Sequence, residues 1–302
     1  MTAANGGGGF LLIFLISTIL IGFPLLLAEF ALGRSAGVSA IKTFGKLGKN
    51  NKYNFIGWIG AFALFILLSF YSVIGGWILV YLGIEFGKLF QLGGTGDYAQ
   101  LFTSIISNPA IALGAQAAFI LLNIFIVSRG VQKGIERASK VMMPLLFIVL
   151  PQLFDKMPFG TIFYVLFLFA TVTSSVVMLE INVDNITNQD NSKRAKWSVI
   201  LGILTFVFGI PSALSYGVMA DVHIFGKTFF DAMDFLVSNL LMPFGALYLS
   251  LFTGYIFKKA LAMEELHLDE RAWKQGLFQV WLFLLRFVIP IIIIVVFIAQ
   301  FM

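Results

Sequence analysis

The 302-residue chain is 59% hydrophobic and only 12% charged, and its mean hydropathy of +0.95 lies well outside the range of a soluble globular domain. Its 20 basic and 15 acidic residues leave a net charge of +5, and it contains no cysteine, which excludes disulfides and thiolate chemistry.

Uninterrupted apolar segments of roughly 20 residues match the length that an α-helix needs to cross about 30 Å of hydrocarbon. The alternating pattern of a transmembrane β-barrel is missing. In chain order the expected spans are Phe10 to Leu32, Phe55 to Ile84, Pro109 to Ser128, Val141 to Phe154, Phe159 to Leu179, Trp197 to Ala220, Phe235 to Phe257 and Gly276 to Met302. Six of the eight carry no Asp, Glu, Lys or Arg; the first contains Glu29 and the last Arg286. The fourth has only 14 residues, too few unless its flanks join the helix. The expectation is an all-α multi-pass membrane protein with about eight hydrophobic helices.

The basic residues test this division independently, because cytoplasmic loops are enriched in Lys and Arg. Loops 33–54, 129–140, 183–196 and 258–275 hold 16 of the 20, whereas the intervening loops hold Lys88, Lys156 and Lys227. The positive charge therefore reads as topology and contact with anionic membrane lipid, not as nucleic-acid binding. With eight spans, both termini lie on the non-cytoplasmic side.

Enzyme signals are weak. His223 and His267 stand alone in separate loops without a second ligand at metal spacing. Gly33, Arg34, Ser35, Ala36 and Gly37 match G-x-S-x-G, but a nucleophile elbow needs a strand before it, and here a membrane span precedes it. Asn185, Ile186 and Thr187 form a glycosylation sequon on the expected cytoplasmic side, where it is not modified.

The polar residues within the spans are more informative, since polar groups at membrane depth are costly and mark function. Ala170, Thr173 and Ser174 fall at i, i+3 and i+4, so one carbonyl and two hydroxyls can share a face and form part of an oxygen cage for a hard cation. The alternative is that the hydroxyls bond back to their own helix and permit close packing. Tyr71, with Leu67 one turn before it, can meet a ligand carboxylate or an interhelical partner. Glu29 lies near the cytoplasmic end of the first span, and Asp231 and Asp234 enter the seventh. Asp231 suits a helix N-terminus on dipole grounds alone.

Taken together these residues carry a resemblance. The stretch from Asn5 to Arg34, with Gly22-Phe23-Pro24-Leu25 and the ending from Glu29, resembles the second helix of the neurotransmitter:sodium symporter family in its bacterial amino-acid transporter branch. Arg129 to Lys140 resembles the connection from the fourth helix to the fifth. Ala170 to Ser175 is similar to the eighth helix, Asp231 to Asn239 to the start of the tenth, and Trp281 to Pro290 to the eleventh. The resemblance covers nearly the whole chain.

It implies an inverted-repeat, LeuT-like fold and sodium-driven symport of amino acids or related amines by alternating access, in the cytoplasmic membrane. By the same resemblance, Ala170, Thr173 and Ser174 supply the eighth-helix half of a sodium site, Tyr71 holds the substrate carboxylate, and Leu67 and Met178 line the side-chain pocket. Gly134 and Pro144 match a fifth-helix motif that lets that helix unwind towards the cytoplasm. Asp234 matches the extracellular gate acid, and Glu29 an acid that faces the sixth helix.

Against that pattern, the family's first helix is absent ahead of Asn5, and its sixth and seventh are absent between Leu150 and Pro158. Residues 1–154 then represent helices two to five, and 155–302 helices eight to eleven, of a single truncated membrane domain. Only part of one sodium site survives, so impaired transport is the expectation. The alternative is a non-transporting scaffold or subunit whose partner supplies the missing helices. The sequence does not define chloride dependence or oligomeric state.

Overall fold

The computed structural model describes residues 7–89, 98–130, 159–268 and 272–300. The expected span Val141 to Phe154 lies outside these residues, and the other seven expected spans are all helices long and apolar enough to cross a membrane.

In chain order, α1 (Gly8–Ala36) contains a π-helical turn at Thr18–Gly22. It ends at Gly37, whose φ of 56° is the left-handed cap that glycine adopts without strain. The G-x-S-x-G string is therefore the end of a helix. Helix α2 (Ala40–Gly48) follows, then α3 (Asn54–Leu89), α4 (Tyr98–Ser107) and α5 (Pro109–Ser128). The Asn108 side chain caps α5 by accepting from the amides of Ala110 and Ile111, with Pro109 in the first turn, where its missing N–H costs nothing.

Helix α6 (Phe159–Thr187) runs two turns beyond the expected end at Leu179. Side chains hold these polar turns: Asn182 donates to Met178 O at 3.1 Å and Thr187 to Val183 O at 2.9 Å. The helix stops where Asn188 and Gln189 both take positive φ. Asn185 is buried in the last turn, so the sequon belongs to a helix and not to the loop expected at 183–196.

Helix α7 (Asn191–Leu214) starts six residues ahead of Trp197, because the Asp190 carboxylate caps it by accepting from Ser192 N at 3.0 Å. It ends at Leu214 and turns replace helix up to Asp221, short of the expected end at Ala220. A two-residue hairpin pairs β1 (His223–Ile224) with β2 (Lys227–Thr228). Helix α8 (Phe229–Ile256) begins earlier than the expected Phe235, since Thr228 accepts from Asp231 N and donates to the Asp231 carboxylate. This local pair settles Asp231 as a capping residue. Helix α8 has π-helical turns at Phe235–Leu241 and Phe252–Ile256. Short α9 (Lys259–Glu265) precedes α10, which runs from Ala272–Phe283 through a π-helical turn at Leu284–Val288 into Ile289–Ala299.

The described residues form two compact units. One comprises residues up to Ala61 together with those from Ser238 onward. Its core is built on Ala28, Leu32, Phe252, Trp281, Leu285 and Ile289, with Phe44 and Tyr53 meeting the Phe252 ring edge-on and Trp281 Nε1 donating to Pro24 O at 3.0 Å. The other unit comprises Phe62–Val237, and its main cluster joins Leu68, Phe119, Val172, Val176, Leu179 and Leu201 from α3, α5, α6 and α7. Close approach there depends on small residues: a Cβ on Gly209 would lie 2.5 Å from Ser69 O and one on Gly76 2.8 Å from the Ala115 backbone.

Candidate functional site

The candidate ion-binding residues sit in the apolar middle of α6. Thr173 Oγ1 donates to Ala170 O at 2.9 Å, and Ser174 Oγ donates to the same oxygen at 3.1 Å. The bond back to the helix, one of the two readings open in the sequence, is present. That bond is also what gathers three oxygens within one turn, because each hydroxyl gives its proton to Ala170 and keeps its acceptor lone pairs. Thr173 is half-buried and Ser174 exposed, so the oxygens open off the helix surface. Ser175 differs: it is fully buried and its hydroxyl lies 2.7 Å from Asn123 Oδ1 and 3.0 Å from Val172 O.

Three neutral oxygens fit a hard monovalent cation in kind but not in number, since such ions take about six. Among the described residues no group of three or more His, Cys, Asp or Glu converges on a metal position.

Leu67 and Tyr71 lie one turn apart on α3, both half-buried. Met178 lies one turn beyond Ser174 on α6 and packs against the cluster that contains Leu68, Val172 and Leu179. Among the described residues no hydrogen bond engages the Tyr71 hydroxyl. Leu67, Tyr71, Ala170, Thr173, Ser174 and Met178 all belong to the unit formed by Phe62–Val237.

The remaining candidates are placed elsewhere. Glu29 is exposed on α1 between buried Ala28 and buried Ala31. Asp234 is exposed in the first turns of α8. Gly134 and Pro144 lie outside the described residues. His223, in β1, and His267, in the turn after α9, are both exposed and lie in separate segments. Beside Asp231, burial first and the neighbouring carboxylate second push the Tyr216 phenol above its ordinary pKa, and Tyr216 Oη donates to Asp231 Oδ1 at 3.3 Å.

One cluster escaped the sequence reading. Arg194, in the first turns of α7, pairs with Glu180 of α6 and lies 3.6 Å from Asp184 one turn further on. The i, i+4 acids just past an apolar run, followed by a basic helix start, were its available signal.

Residues 1–91 match the family model described as the Sodium:neurotransmitter symporter family. The chain is 37% identical to an uncharacterized sodium-dependent transporter, YhdH, of Bacillus subtilis (strain 168), over 98% of this chain and 90% of that protein. It is 23% identical to an uncharacterized sodium-dependent transporter of Haemophilus influenzae, over 99% and 92% of the two chains. The crystal structure of MhsT in complex with L-phenylalanine superposes with a TM-score of 0.87 at 28% identity, covering 98% of this chain and 92% of that one. The Bacillus alignment runs over 410 positions, of which a 302-residue chain fills at most 302. At least 108 positions are therefore gaps within this chain. Two membrane helices need about 40 residues, so the shortfall has room for two spans and their connections.

Proposed function

Because the chain belongs to the sodium:neurotransmitter symporter family, a family of sodium-dependent transporters, we propose that it derives from a sodium-coupled symporter of amino acids or related amines in the cytoplasmic membrane. In this shortened form it does not complete a transport cycle alone. The observation that carries the reading is the three-oxygen cluster of Ala170, Thr173 and Ser174 in a chain that leaves at least 108 of the 410 positions of its Bacillus alignment as gaps.

Each residue has a defined part in this proposal. The α6 oxygens are one half of a sodium site, which needs further oxygens opposite them. The Tyr71 hydroxyl donates to a substrate carboxylate, and Leu67 and Met178 give the apolar wall for the substrate side chain. An amino acid is the substrate class supported by the phenylalanine bound to MhsT. Residues 1–154 and 155–302 then descend from the two halves of the inverted repeat, and the shortfall against the Bacillus relative falls on the sixth and seventh helices.

Half a coordination shell is too little to strip water from an alkali ion. Radiolabelled sodium binding to the purified chain tests this. The expected result is no saturable binding at low millimolar sodium; saturable binding there, lost in Thr173→Ala with Ser174→Ala, would overturn the incomplete-site reading.

A second reading, a membrane subunit whose partner supplies helices, is favoured by α1. Only 6% of its most apolar stretch is buried, and Glu29 is exposed upon it. Recovery of the tagged chain with a stoichiometric second membrane protein supports that reading, and recovery as a lone monomer counts against it.

A further inference from the structure

Arg286 is the single charged residue between Gly276 and Met302, and an ionisable group within a span needs partners. It lies in the π-helical turn Leu284–Val288 of α10, against the π-helical turn Phe252–Ile256 of α8. A π-helical turn shifts the backbone ladder by one residue, and here each helix gives donors to carbonyls of the other. Arg286 Nε donates to Gly254 O at 2.6 Å, Ser250 Oγ to Leu285 O at 2.5 Å and Tyr255 Oη to Arg286 O at 3.4 Å. Gly254 is required at this approach, since a Cβ there would stand 2.9 Å from Arg286 Cγ.

The guanidinium is thus fixed through Nε, 5.3 Å from the Tyr255 ring centroid. Among the described residues no acceptor sits on either Nη, which leaves four N–H donors in a rigid planar fork.

Its level in the membrane follows from the neighbouring helix. Gly254 is two residues from the end of α8 at Ile256, after which Phe257 is extended and Lys258 and Lys259 are exposed. Helical side chains lean towards their own N-terminus, and for α10 that end adjoins the Lys-rich loop 258–275 on the cytoplasmic side by charge. Above this level the flanking surface is apolar and exposed: Phe287, Ile291 and Ile294 on α10, Tyr248 and Leu251 on α8.

We propose that Arg286, with Lys258 and Lys259, binds the phosphate of an anionic phospholipid of the cytoplasmic leaflet, whose acyl chains lie along the exposed apolar faces of α8 and α10. The open Nη pair matches the bidentate geometry of a phosphate. The adjoining lysines select a headgroup with net negative charge. The apolar flanks distinguish a lipid from free phosphate, which gains nothing from them.

Native mass spectrometry of the full chain, extracted in mild detergent and equilibrated with equal phosphatidylglycerol and phosphatidylcholine, tests the proposal. The wild type should retain phosphatidylglycerol at least fivefold over phosphatidylcholine. Arg286→Gln should lower that adduct about tenfold, Arg286→Lys should give an intermediate level, and Lys227→Gln, on the opposite side by charge, should leave it unchanged. If Arg286→Gln does not fold, Lys258→Gln with Lys259→Gln decides: headgroup preference should fall to near unity. Equal retention of both lipids by the wild type, or unchanged preference in a folded Arg286→Gln or double-lysine variant, overturns the proposal. A rise in melting temperature with inorganic phosphate alone, equal to that with phosphatidylglycerol, overturns its assignment to lipid.

Discussion

The Ser175 hydroxyl sits 2.7 Å from Asn123 Oδ1, joining α6 to α5 in a fully buried position, while Ser174, one residue earlier, is exposed with its proton on Ala170 O. Adjacent serines in one helix thus differ: Ser175 is committed to packing, and Ser174 is the one proposed to face an ion. Ser175→Ala leaves the Asn123 oxygen without this donor and should destabilise the chain by about 1 kcal/mol. Ser174→Ala should stay within about 0.5 kcal/mol of the wild type. Thermal melts followed by circular dichroism in one detergent compare them, and equal losses would contradict the division of roles.

Gly209 faces both the Gln116 side chain and the Ser69 carbonyl, and a Cβ would approach the latter to 2.5 Å. Backbone cannot rotate away as a side chain can. Gly209→Ala should therefore cost about 1–3 kcal/mol by overpacking, whereas Gly114→Ala, where a Cβ meets nothing within 4 Å, should not lower the melting temperature.

The contrast between such positions shows what the sequence makes legible. The seven described spans follow from apolar runs of membrane length, and the family follows from local strings such as Ala170 to Ser175, because both signals are contiguous. Helix ends were misplaced where side chains overrode composition. Asp190 and Thr228 start helices ahead of the apolar runs, and α6 continues past Leu179 where Arg194, on the next helix, gives Glu180 and Asp184 a partner. Whether Thr173 and Ser174 face a ligand or their own helix could not be read from spacing, since the same i, i+3, i+4 pattern serves both; the hydrogen bonds to Ala170 O establish the second, and the first is the proposal made above. The π-helical turns that bring Arg286 to Gly254 leave no sequence signal without the partner helix beside them.

Arg194 and Glu180 are both mostly buried, with side chains 17% and 16% exposed. Removing the arginine leaves an acid poorly solvated, so a single loss should exceed the net worth of the pair. A double-mutant cycle with Arg194→Gln and Glu180→Gln should give a coupling of about 1 kcal/mol, with the double variant more stable than Arg194→Gln alone. Additive losses would show that the ion pair carries no coupling.

Asp190 supplies the pH dependence. Hydrogen bonds from Ser192 first, then Lys193, hold its carboxyl near 2, against an ordinary value of 3.8. A lowered pKa in the folded state means that the stabilisation is present above about 3.8 and is lost as the pH falls towards about 2. The melting temperature should drop more steeply between pH 4 and pH 2 in the wild type than in Asp190→Asn. Parallel curves would show that Asp190 carries no such linkage.

The proposed function holds that this family member keeps part of a sodium site and does not by itself couple sodium to transport. Uptake of labelled L-amino acids into sealed vesicles containing only this chain, with an inward sodium gradient and with potassium replacing sodium, tests it most directly. Uptake no greater than in empty vesicles is expected under either gradient. Sodium-dependent accumulation of any amino acid, abolished by Thr173→Ala with Ser174→Ala, would contradict it.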